Sequence, residues 1–367
     1  MAPLMGVVAQ PFWGQVADRS GLRSRVLFVI AFCAALGYLG IYFASSFLGL
    51  IAATAALAFF ASALIPSTVS VTLALAGNAG RHAFGFARVW GTVGFLVLVV
   101  GFPHLLDRIQ TLRGIERGAG GPSEPGLEVM FPFTAVIVMI GAFLTLTLPH
   151  TRELGLRAPR GDWRRLLRHG PFVRLLFFAL LAYLFLQGPM SLFPVFVRAH
   201  GGDMHTVSNM WILMLALEIP LVAFSGASLE RVGARGLLAI GVLCGGLRWL
   251  VCGFSGDLAW IYPVQILHGV VVAGLVIGGP LYVEAVVPER LRSTGQGLLA
   301  MVGVSLGGIS SQVSAGWLLE HVGSDAPYAV GGIGALLLGC LVPFVLPTTS
   351  RPPAERDEPD TNAASSR

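Results

Sequence analysis

Three ionisable side chains, Glu218, Arg248 and His268, stand deep inside apolar stretches of the sequence. An ionised group facing hydrocarbon is costly, so such residues usually line a polar cavity or pair with one another. Burial and a nearby guanidinium act in opposite senses on the proton affinity of a carboxyl group, so an Arg that moves relative to a Glu can switch proton binding. Glu218 is therefore the principal candidate for proton binding. Arg248 is its modulator or the partner of an anionic substrate group, and His268 a second proton or hydrogen-bond site. The bland alternatives are a buried Glu218–Arg248 ion pair that only fixes packing and a hydrogen-bonded packing role for His268. Gln187, Gln265, Gln312, Trp90 and Trp211 are softer candidates for a cavity wall, since a lone Gln in a membrane helix also serves as inter-helix glue worth ~1 kcal/mol.

A second constellation lies outside the apolar stretches. Gly14-Gln-Val-Ala-Asp18-Arg19-Ser-Gly21-Leu-Arg23 and Gly226-Ala-Ser-Leu-Glu230-Arg231-Val-Gly233-Ala-Arg235 both fit G-x-x-x-[D/E]-R-x-G-x-R, 212 residues apart. The first Gly packs a helix end closely, the acid can meet a neighbouring Arg or helix N-terminus, and the second Gly permits a tight turn. Such a cluster can latch two helices in one conformation and release them in another. The same offset pairs Gly85 with Gly297 and Gly91 with Gly303, which makes the chain two related halves. With Arg88, these motif residues form a candidate gate.

The elements that hold these groups are membrane helices. The 367 residues are 55% hydrophobic and 12% charged, with a mean hydropathy of +0.77, which excludes a soluble globular protein. Apolar runs place eleven spans near 1–17, 26–45, 48–74, 88–106, 127–148, 172–197, 206–225, 236–254, 258–283, 295–319 and 326–347. All 24 basic residues are Arg, and 19 of them fall on the side that carries both motifs and the tail, so that side is expected in the cytoplasm. At a rise of 1.5 Å per residue, Glu218, Arg248 and His268 lie roughly 12, 18 and 22 Å deep. Cys33, Cys244, Cys252 and Cys340 are isolated, and neither the acids nor the eight His residues are spaced as metal ligands, so no cofactor, metal or enzymatic chemistry is expected. The net charge of +5 is spread between apolar runs, which argues against nucleic acid.

The loop motif, its second copy and the two-half layout resemble the major facilitator superfamily. Arg88-Val-Trp90-Gly91-Thr-Val-Gly94-Phe95 resembles a branch that includes the phenylpropionate permease and relatives of nucleoside–proton symporters. Glu218-Ile-Pro220, Arg248-Trp249 and Leu267-His268-Gly269 fit the same branch. The resemblance implies an all-α polytopic fold of 6+6 helices in two pseudo-symmetric bundles. Residues 1–148 form the N-terminal bundle (helices 2–6), 149–171 a linker on the inner leaflet, 172–347 the C-terminal bundle (helices 7–12) and 348–367 a disordered cytoplasmic tail. The repeat puts the first helix of that plan about 40 residues before Met1, so 11 transmembrane helices are expected. The trio is similar to that of lactose permease, which draws a Glu, an Arg and a His from helices 8, 9 and 10. Its further acid corresponds here to Val271. The implied function is proton-coupled uptake of a small-molecule substrate, anionic or nucleoside-like, by a monomer in the lipid bilayer of the inner membrane. Efflux in exchange for protons, or a shortened protein that does not transport, are the alternatives.

Overall fold

In a computed structural model the structure describes residues 2–76, 80–114, 126–148, 163–202, 204–223 and 225–348. The linker arginines Arg152, Arg157 and Arg160, most of the outer loop and residues 349–367 of the tail lie outside them. The described chain is helical: α1 Ala2–Ser20, α2 Arg23–Phe43, α3 Phe47–Ala76, α4 Gly80–Arg113, α5 Leu127–Thr145, α6 Gly170–Ala199, α7 Met204–Ala223, α8 Val232–Ser255, α9 Leu258–Val286, α10 Glu289–His321 and α11 Ala326–Val345. Nine of these are long and apolar enough to cross a membrane, and α1 and the shorter apolar stretch Thr206–Leu221 within α7 complete the eleven expected. Helices are what a lipid environment demands, because every backbone N–H and C=O must be satisfied within its own segment. α4 outruns the expected 88–106 at both ends, since its hydrogen-bond ladder continues past the apolar run.

Contacts group α2 with α3 and α5, and α6 with α8–α11, while α1 packs on α10 and α4 on α7; the helices before and after residue 150 are called the first and second bundle below. In the second, α6 runs through the middle, burying Phe172, Leu175, Phe178 and Phe193 against α10 and α11. In the first bundle α2, α3 and α5, with Ala87 of α4, line an open, largely apolar cavity of about 730 Å³. Close crossings depend on small residues. A Cβ on Gly274 of α9 would lie 2.5 Å from the Cα of Gly241 in α8, so the backbones touch where two small-x-x-x-small patterns meet. Both motif turns use a backbone that favours glycine: Gly21 has φ +63° and Gly233 φ +70°.

α6 carries Pro189 and Pro194 internally. Ser311 of α10 sits beside the first, accepting from the Gly188 N–H at 2.6 Å and donating to the Leu184 carbonyl, the i−4 partner of that N–H. A side chain bridging the ladder beside a proline is a recognised cause of helix bending. This bridged turn lies next to Gln187 and Met190, which face the site described below.

Candidate functional site

The two groups of helices meet chiefly at two junctions, α4 with α7 and α1 together with α3 on α10. At the first, a chain of polar contacts crosses from one half into the other. Arg88 lies one turn before Thr92 on α4 and donates to its hydroxyl at 3.4 Å. Thr92 in turn donates to Glu218 Oε1 on α7 at 2.7 Å. The other carboxylate oxygen, Oε2, lies 4.0 Å from His268 Nε2 on α9. Gly269 makes that approach possible: a Cβ there would sit 3.0 Å from the Glu218 Cα, so α9 and α7 cross beside the carboxylate.

His268 joins Glu218 to Arg248 on α8. Arg248 NH1 lies 3.1 Å from His268 Nδ1. A guanidinium only donates, so Nδ1 accepts and the ring proton sits on Nε2, facing Glu218. Arg248 Nε donates to Gln265 Oε1 at 2.7 Å, and Gln265 is oriented for this by its own bond to the Ile261 carbonyl at 2.7 Å. NH2 meets only the sulfurs of Met190 and Met214, each at 3.5 Å. The Trp249 and Phe193 ring centroids lie 4.0 and 5.6 Å from the guanidinium carbon. Arg248 is 2% exposed. Beside it opens a cavity of about 130 Å³ lined by Gln187, Met190, Arg248, Trp249, His268 and Val271 among others.

The structure thus gathers Glu218, Arg248 and His268 into one cluster. A direct Glu218–Arg248 ion pair is not what it builds, because His268 stands between them. Gln265 and Gln187 belong to the same site, and Trp211 meets the His268 ring edge-on at 6.4 Å. Gln312 does not: it is exposed and its amide lies 3.5 Å from Ser191. Trp90 is also elsewhere. Two residues from Thr92 it points to nearly the opposite side of α4, and it is 64% exposed. Arg88, assigned to the gate from its place at the edge of an apolar run, is instead part of the Glu218 chain. Thr92, Met190 and Met214 were not singled out from sequence. The i, i+4 spacing of Arg88 and Thr92 was the available signal for Thr92.

The candidate gate residues meet at the other junction, of α1 and α3 with α10. Asp18, 3% exposed, accepts from the backbone N–H of Ser293 at 3.2 Å and from the N–H and hydroxyl of Thr294, both at 2.6 Å. These donors lie in the first turn of the α-helical part of α10, which begins at Arg292 after the 3-10 turn Glu289–Leu291, where a carboxylate meets both free N–H groups and the positive end of the helix dipole. Arg23 NH2 lies 3.4 Å from Asp18 and donates to the Glu289 carbonyl at 2.9 Å, adding a second tie to the other half. Ser70 and Ser293 hydroxyls bond at 2.7 Å. Gly14 permits the contact, for a Cβ there would lie 2.6 Å from the Ser293 carbonyl oxygen. Arg19 is exposed beside this latch, and Arg235 is half-buried at the turn of the second copy. The side chains of Glu230 and Arg231 lie outside the described residues.

Comparison with known proteins agrees with this architecture. Residues 1–330 match the MFS_1 like family. The maltose permease of Geobacillus stearothermophilus is 28% identical over 364 residues, covering 97% of this chain and 86% of that protein. A probable 3-phenylpropionic acid transporter of Escherichia coli (strain K12) is 34% identical over 74 residues, 20% of each chain. Among solved structures, the E. coli fucose:proton symporter shares the fold with a TM-score of 0.69 at 11% identity, over 94% of this chain and 88% of that one.

Proposed function

The chain belongs to the MFS_1 like family, a branch of the major facilitator superfamily of membrane transporters, and from that premise we propose that it takes up a small organic solute together with protons by alternating access. The carrying observation is the chain of contacts from Thr92 through Glu218 and His268 to Arg248. It ties an intramembrane carboxylate to the opposite half on one side and to a solute-sized cavity on the other. Adding a proton to Glu218 weakens the bond from Thr92 and leaves the two halves freer to rock, so proton binding and conformational change share one residue. In this reading the Asp18 latch is the cytoplasmic gate, closed here, the C-terminus is cytoplasmic, and the protein sits in the inner membrane. Its similarity to a maltose permease supports solute uptake, and the fold it shares with a fucose:proton symporter is compatible with proton coupling.

The test is uptake into proteoliposomes under an imposed pH gradient, with a panel spanning disaccharides, nucleosides and aromatic acids. Wild-type protein accumulates its solute only with the gradient, and Glu218→Gln retains exchange without accumulation. Gradient-driven accumulation by Glu218→Gln rules out the proton role.

A further inference from the structure

Resting on that transport reading, we propose that the solute is a small organic monoanion whose carboxylate is received by Arg248, and that one proton crosses with it in an electroneutral step. Arg248 is a buried cation with no carboxylate in contact with it among the described residues. Glu218 is held off by the neutral His268 ring between them. Two of its donor groups are taken by neutral acceptors, Gln265 and His268. The third, NH2, faces two thioether sulfurs at 3.5 Å, among the weakest acceptors a protein offers. Removing an ion from water is costly unless a partner of opposite charge completes it. Met190 lines the cavity beside the guanidinium. A carboxylate entering there displaces the sulfurs and meets the planar fork that guanidinium groups present to such anions.

The rest of the cavity describes the body attached to that carboxylate. Leu186, Val271, Val272 and Leu275 make an aliphatic wall, with the Trp249 ring at one side. Apart from Arg248 and His268, the lining residues offer Gln187, Tyr183 and the indole N–H of Trp249 as polar groups. A polyhydroxylated sugar would leave most of its hydroxyls facing hydrocarbon, whereas an aliphatic or aromatic acid buries its body and spends its charge on Arg248.

Charge balance fixes the stoichiometry. The empty site holds the Arg248 cation and the Glu218 anion, net zero. The loaded site holds Arg248 with the solute anion and a protonated Glu218, again net zero. The proton added to Glu218 from outside leaves to the inside after the solute, so both moving forms of the carrier have the same charge and no net charge crosses.

Full-length protein in liposomes carrying an internal pH dye tests this, with 3-phenylpropionate, 4-hydroxyphenylacetate, their primary amides and maltose as probes. Rates are taken above those of protein-free liposomes, with the membrane potential held at zero or made negative inside by potassium and valinomycin. The expected result is carboxylate entry about 100-fold faster than amide entry, one proton per anion, and no response to the potential. Arg248→Gln lowers carboxylate entry by about 100-fold. Arg248→Lys keeps the charge without the fork and loses about tenfold, which keeps the test open should Arg248→Gln not fold. Proton-coupled entry of the amides or maltose at the carboxylate rate, or no carboxylate entry above background, overturns the anion assignment. Equal carboxylate rates for wild type and Arg248→Lys also count against it. Anion-selective entry without proton movement leaves Arg248 its role and overturns the proton reading instead.

Discussion

Asp18→Asn is a near-isosteric change whose effect on the gate can be worked from the contacts. The carboxylate accepts three hydrogen bonds from the first α-helical turn of α10, two of them at 2.6 Å, and lies 3.4 Å from Arg23. Asn keeps one carbonyl oxygen for these donors and turns an NH2 group toward the rest, so at least one donor is left facing another donor. A hydrogen bond to a charged group contributes about 1.5–3 kcal/mol, and a charge at a partly buried helix terminus up to about 2 kcal/mol. Because these overlap, about 3 kcal/mol is a reasonable total, or roughly 100-fold in an equilibrium. All of it belongs to the latched conformation, since the contact spans the two halves. An unlatched state populated at about 1% therefore rises to about half the molecules. Spin labels at Arg19 and Glu289, both exposed and on opposite sides of the latch, in a background with the four native cysteines replaced, report the separation by pulsed dipolar spectroscopy. A second, longer distance of comparable weight is expected in Asp18→Asn. A single short distance identical to that of the parent protein refutes the latch as an energetic device.

Two further substitutions probe the other contacts. Thr92→Val removes the donor to Glu218 while preserving shape, and gradient-driven uptake is expected to fall about tenfold, the scale of one hydrogen bond to a charged group. Unchanged thermal unfolding in detergent would locate that loss in transport rather than folding, and unchanged uptake would remove Thr92 from the mechanism. Gly274→Ala places a methyl group 2.5 Å from the Gly241 Cα and 2.6 Å from the Leu237 carbonyl oxygen. Overpacking of this kind costs about 1–3 kcal/mol, so the unfolding temperature drops. Gly101→Ala, whose added Cβ meets nothing within 4 Å, leaves it unchanged or slightly raised, as a helix interior prefers Ala.

What the sequence discloses depends on whether a residue carries a cost that only one placement relieves. Glu218, Arg248 and His268 stand out because ionisable groups in apolar helices are expensive, and they do converge. Thr92 is equally central but carries no such mark, since a threonine hydroxyl in a helix can satisfy itself on the preceding turn. Only the fold shows that it faces α7 instead. Arg88 reads as a helix-edge charge that reaches water, as long basic side chains often do, yet its register with Thr92 turns it inward. Trp90 carries the reverse ambiguity: an aromatic ring suits a cavity wall and a lipid-facing surface alike, and helical phase decides. The Asp18 motif is legible from its repetition, whereas its receptor is not, because free N–H groups at the start of α10 belong to the backbone and leave no residue signature. The bridging of α6 by Ser311 is hidden for the same reason, as it depends on which helix lies alongside.

Both joints between the halves use a buried carboxylate, and their coordination explains why the proposed proton site is Glu218 rather than Asp18. Asp18 is saturated, with three donors within 3.2 Å and Arg23 beyond. Three of its contacts come from the other half, so the joint opens as a unit. Glu218 is under-coordinated. One oxygen accepts from Thr92 at 2.7 Å, and the other has only His268 at 4.0 Å. A proton can take that second oxygen without evicting any donor. Thr92 is also the right neighbour for such a group, because a hydroxyl can donate to a carboxylate and accept from a carboxylic acid. Protonation then reverses or weakens one bond between the halves without leaving a buried group unpaired. In the proposed cycle the Asp18 joint sets how firmly the gate holds, and the Glu218 joint lets the proton and, through His268 and Arg248, the solute decide when it yields.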